Sequence, residues 1–149
     1  RTWLFKDGPP FRAMKVCVWS SLCFLWAAYR TGHPQLYSLW VLSTLNHLGY
    51  RQVWTADTTL AHSICAWSML HAEWSRYIYW FMCMWTIFVY KVLGLSFLPG
   101  RTGECWHATT HLASSIGMVH AGLKPANNLE FTALMVLVYF YIKKTSIKI

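Results

Sequence analysis

The chain has 149 residues, 56% of them hydrophobic, 17% aromatic and only 12% charged, with ten tryptophans and eight tyrosines. That length fits one domain, and so little polar surface excludes an ordinary soluble fold; it suits a chain solvated by lipid with aromatics at headgroup level. Thirteen Lys and Arg against five Asp and Glu give +8, but the basic residues sit between and beyond apolar runs rather than on one stripe, which argues against nucleic-acid binding.

Residues 1–15 carry Arg1, Lys6, Arg12 and Lys15 around Gly8-Pro9-Pro10, a composition that stops helices and suits a basic interfacial arm. Residues 16–142 then hold six apolar runs, expected as an all-α integral membrane bundle of about six transmembrane helices. The first, Val16 to Tyr29, is ended by Arg30 and the turn signal Thr31-Gly32-His33-Pro34, and the second covers residues 35–49. The third runs from Ala56 to Ala72 and opens with Asp57-Thr58-Thr59, a helix-start signal. Tyr77 to Leu98 is the most lipid-like run and is broken by Pro99-Gly100-Arg101-Thr102-Gly103. The fifth run spans Cys105 to Gly122, and the sixth, Phe131 to Ile142, leads into a basic tail at 143–149 with Lys143, Lys144 and Lys148. Several runs fall short of the roughly 20 residues a perpendicular helix needs to cross the hydrocarbon, so they must borrow aromatic flanks or lie thinly embedded. The opening residue is Arg1 rather than a methionine, the pattern of a sequence whose leading segment has been cleaved or left out.

In a six-span chain, alternate connections share a side. The arm, the loops after the second and fourth spans and the tail hold Arg1, Lys6, Arg12, Lys15, Arg51, Arg101, Lys143, Lys144 and Lys148, with Lys91 close by. Only Arg30, Arg76 and Lys124 fall on the other side. This bias places both termini in the cytosol of an endomembrane protein, or in the matrix of a mitochondrial inner-membrane one. The five cysteines form no CxxC pair and fall mostly inside apolar runs, so they read as small buried hydrophobes rather than as a disulfide framework or zinc ribbon.

The same topology brings three polar places to one membrane level. Ser43 and His47 lie near the end of the second span, Asp57 opens the third, and His107 and His111, four apart on one helix face, open the fifth. Three neutral imidazoles and a water make an open zinc site of the catalytic type. Such an ion lowers the pKa of its water to about 7 and polarises a carbonyl, as amide or ester hydrolysis requires. Asp57 could take the water's proton or orient a ligand imidazole, and Ser43 could donate to the substrate carbonyl or its oxyanion. Each residue also has a plainer reading. The histidines could hydrogen-bond across helices, Ser43 could pack a helix contact or bond back to its own helix, and Asp57 could be an N-cap. A haem would need two histidines at matching depth, and His62 has no convincing partner for one.

The order Ser43-Thr-Leu-Asn-His47, then Asp57, then Trp106-His107-Ala-Thr-Thr-His111 resembles the CREST superfamily of membrane hydrolases, which includes the alkaline ceramidases and, more distantly, the progestin and adiponectin receptors. The resemblance rests on five positions within residues 40–120. It implies Zn2+ held by His47, His107 and His111, with Ser43 and Asp57 as the accompanying catalytic pair, and lipid amides or esters as substrates. The family usually has seven spans and a longer stretch between the Asp and the last His pair, where this chain has one span; losing two spans preserves the side on which the pair emerges. A different class of function also suits the composition: a non-catalytic accessory subunit of a multi-subunit membrane complex, such as a respiratory assembly, whose short aromatic helices pack on partner subunits and membrane lipids.

Overall fold

The computed structural model describes residues 14–147, so Arg1, Lys6, Arg12 and Lys148 lie outside the described residues. Among the described residues the chain is all-α: seven α-helices joined by short turns, with no strand.

The first apolar run is two helices, α1 (Lys15–Ser20) and α2 (Leu22–Thr31), rather than one. The break falls at Ser21. The Ser20 and Ser21 hydroxyls both lie on the Cys17 carbonyl, at 3.1 and 2.8 Å, beside the Ser21 amide that keeps its ladder bond to it at 2.9 Å. Gly32, at φ 72°, ends α2 with its N–H on the Ala28 carbonyl. Pro34 then takes the first position of α3 (Pro34–His47), where its missing N–H costs nothing. A 3-10 turn, Arg51–Val53, leads into α4 (Trp54–His71).

The fourth run also departs from a single span: α5 (Tyr77–Ile87) widens into a π turn at Phe88–Val92, and Gly94 at φ 60° turns the chain before a 3-10 turn at Leu95–Phe97. Pro99 caps α6 (Gly100–His120), which therefore starts ahead of Cys105, and α7 (Asn128–Ile147) extends past the sixth run at both ends. Lys143 and Lys144 are thus on a helix rather than in a separate tail.

Helix α6 is the centre of the arrangement and packs on α1, α2 and α5; α3 joins α1 and α2 to α4, and α4 carries α7. The apolar core runs along this seam through Phe24, Leu36, Leu39, Ile64, Trp67 and Met118. Two glycines allow α6 its close approaches. A Cβ at Gly117 would stand 3.2 Å from the Cβ of Met82 on α5, and one at Gly103 would overlap the Leu98 carbonyl.

Among the described residues no helix is both long and apolar enough to cross a membrane. The 21 residues of α6 reach about 30 Å, but Arg101, Glu104, His107 and His111 lie within them. The apolar α5 is only 11 residues long. Large apolar side chains nevertheless face outward, among them Trp19, Tyr29, Trp74, Tyr77, Leu129 and Phe140.

Candidate metal centre

The spacing of four puts His107 and His111 one turn apart on α6, and their rings meet edge to face at 4.8 Å between centroids. His47, the last residue of α3, joins them from across the bundle, 5.0 Å from His107 and 5.1 Å from His111. The three imidazoles named from the sequence are therefore in mutual contact. His47 and His111 are buried, at 4% and 6% exposure, and His107 is half-buried. Phe24 covers His111 at 4.9 Å, and the π turn after α5 brings Tyr90 against His107 at 5.7 Å.

Hydrogen bonding holds one ring at its Nδ1. Ser20 Oγ lies 2.8 Å from His111 Nδ1 and 3.1 Å from the Cys17 carbonyl; with its hydrogen on that carbonyl it is the acceptor for His111 Nδ1–H. In that tautomer His111 Nε2 is the bare lone pair, and it stands 3.4 Å from His47 Nε2. This gap is long for a hydrogen bond but close to the edge, about 3.3–3.4 Å, of a tetrahedron whose centre lies at the usual Zn–N distance of about 2.0–2.1 Å. An imidazole held by a hydrogen bond at one nitrogen so that the other is presented is the usual preparation of a histidine ligand.

Asp57 is buried within the first turn of α4 and is not its N-cap; that position belongs to Val53, which makes no side-chain capping bond. The Asp57 carboxylate accepts from Asn46 Nδ2 at 2.7 Å, so it is tied to the residue preceding His47. Ser43 is buried too, with its Oγ 3.0 Å from Ser21 Oγ. Ser43 thus faces the α1–α2 junction, where Ser21 Oγ also lies 2.8 Å from the Cys17 carbonyl.

The remaining histidines are elsewhere. His62 Nδ1–H donates to the Thr58 carbonyl of its own helix, His71 meets Glu130 of α7 at 2.8 Å, and His120 is exposed. His33, in the turn before α3, is buried edge-on against Trp67 with the Leu123 backbone beside it, and burial holds its pKa below the ordinary imidazole value.

Sequence spacing did not point to Cys17, Ser20, Ser21 or Asn46. Cys17 is fully buried on α1, and its Sγ lies within 4.8 Å of ligating nitrogens of His47 and His107. The first apolar run looked like packing surface because its site residues are apolar or small, and only the contact of α1 with α6 gives them a role. Nitrogen and sulfur donors without a carboxylate among them suit zinc better than magnesium or calcium. No family model, curated protein or solved structure matches this chain.

Proposed function

We propose that the chain is a zinc-dependent hydrolase of lipid amides or esters, ceramidase-like in its residue pattern, seated as a helical bundle in a membrane. The observation that carries this reading is the convergence of His47, His107 and His111, with the Nε2 atoms of His47 and His111 3.4 Å apart and Ser20 Oγ 2.8 Å from His111 Nδ1. These three imidazoles would hold the ion. Zinc supplies Lewis acidity for an acyl carbonyl and activates water near neutral pH. Asp57, oriented by Asn46, receives the water's proton or steadies the α3 end of the site. Ser43 serves a substrate carbonyl only after turning from Ser21, so its role is positional until substrate enters. The outward aromatic residues and the sidedness of the basic residues support a membrane setting, with lipid chains against the bundle and the termini on the cytosolic or matrix side.

Metal analysis of the purified protein tests the reading. Near-stoichiometric zinc that is lost in His107→Ala and in His111→Ala is expected, together with turnover of ceramide or phospholipid. Intact protein that takes up no metal would end the proposal.

A second reading has its own support. Helix α7 buries little besides Phe131 and Ile142 and leaves Leu129, Leu137, Phe140 and Tyr141 exposed, a face suited to a neighbouring subunit of a membrane assembly. Co-purification with a large complex supports that role; a stable monomer in detergent counts against it. The two readings are compatible, since a hydrolase can also be a subunit.

A further inference from the structure

We propose that Cys17 is a fourth protein ligand, its thiolate sharing one divalent ion with His47, His107 and His111 and so closing the coordination sphere. The inference rests on the metal centre of the proposed function but adds a residue and a different chemical state to it.

Three observations place Cys17 there. Its side chain is wholly buried, and its Sγ and the ligating nitrogens of His47 and His107 all lie within 4.8 Å of one another. In a tetrahedral zinc site, donor atoms about 2.0–2.3 Å from the ion stand roughly 3.3–3.8 Å apart, so side-chain adjustment of about an ångström closes the Cys17–His47–His107 set; His111 lies outside that set and joins it through its Nε2, 3.4 Å from His47 Nε2. The position is also held at both ends. Cys17 Sγ contacts the Glu104 carbonyl of α6 at 3.5 Å, one turn before His107, and the Met14 amide, one turn before Cys17, donates to the His47 carbonyl at 2.9 Å. Finally, Ser20 Oγ stands between the Cys17 carbonyl, at 3.1 Å, and His111 Nδ1, at 2.8 Å. One short helix thus carries the thiol and the group that holds His111 at Nδ1.

The chemistry follows from the donor set. Thiolate and imidazole together favour zinc and its close relatives, and coordination releases the thiol proton to solvent as the S–metal bond forms. Four protein donors make a closed site of the structural kind, whereas three leave a position for water. Cys17 therefore decides whether the centre is closed or open: water reaches the ion only where the thiolate withdraws.

Cobalt substitution reads this directly, without any assay of activity. The detergent-solubilised protein loaded with one Co2+ per chain is expected to show a thiolate-to-cobalt charge-transfer band in the near ultraviolet. That band should persist in Cys105→Ser, the exposed cysteine on the same helix as the histidines, and vanish in Cys17→Ala. The Cys17→Ala protein should still bind one ion, with affinity lowered at least about tenfold. If Cys17→Ala does not fold, the wild-type and Cys105→Ser spectra decide the matter alone. One bound cobalt with no thiolate band in the wild-type protein overturns the inference and leaves the hydrolase reading standing. No bound cobalt removes both.

Discussion

At the scale of single residues, the candidate centre depends on where hydrogens go. Ser20 Oγ has one hydrogen and stands 3.1 Å from the Cys17 carbonyl and 2.8 Å from His111 Nδ1; with that hydrogen on the carbonyl it is an acceptor for His111. Ser20→Ala removes that acceptor and frees the ring to adopt the other tautomer or rotate. The expected result is a zinc affinity about 10- to 100-fold weaker, measured by chelator competition. Fold stability should fall by only about 1 kcal/mol, the worth of an ordinary hydrogen bond. An unchanged affinity would mean that His111 is oriented by packing on Phe24 alone. In the Asn46–Asp57 pair the buried amide donates from Nδ2 to the buried carboxylate beside His47, while Asn46 Oδ1 meets no partner among the described residues.

At the scale of elements, α6 presents His107 and His111 correctly only if its first turns are seated against the turn that precedes it. Gly103, one turn before His107, faces the backbone carbonyl of Leu98 with no room for a Cβ. Backbone cannot swing aside as a long side chain can. Gly103→Ala should therefore displace the start of α6 and cost about 1–3 kcal/mol, seen as a lower unfolding midpoint. Zinc retention should fall with it, because Cys17 and Tyr90 also contact this part of α6. A wild-type midpoint would show that the Leu98 turn yields easily. The junction of α1 and α2 is the second element-level device: Ser21 stays right-handed helical there, at φ −61° and ψ −21°, and the packing of α1 on α6 brings Cys17 and Ser20 to the centre.

For the whole molecule, the proposed membrane setting must be met by described residues that form no long apolar helix. Helices of 11, 14 and 18 residues, α5, α3 and α4, reach about 16–27 Å along their axes, short of a hydrocarbon core of roughly 30 Å. In that proposed setting, exposed tryptophans and tyrosines near their ends, such as Trp74 and Tyr77, would extend the apolar surface toward the headgroups. The protein reconstituted with liposomes should float with them and stay bound through high salt and carbonate washing. Basic residues alone would give a salt-labile association, since their attraction is screened within about 10 Å at 0.1 M salt. Release by salt would therefore sink the membrane-seated bundle and leave a peripheral protein.

The sequence by itself determined the all-α class and the positions of most turns, because apolar runs, Gly32, Pro34 and Pro99 act through local backbone preferences that need no tertiary context. It also singled out His47, His107 and His111, since polar groups in apolar surroundings stand out and a spacing of four defines one face of a helix. Only the tertiary structure decided that these imidazoles touch, that Asp57 bonds Asn46 instead of capping α4, and that Ser43 pairs with Ser21. It alone brought Cys17 and Ser20 to the same place. Those partners are separated by up to 91 positions along the chain, and such pairings arise from the packing of α1 on α6, which no periodicity within either helix encodes.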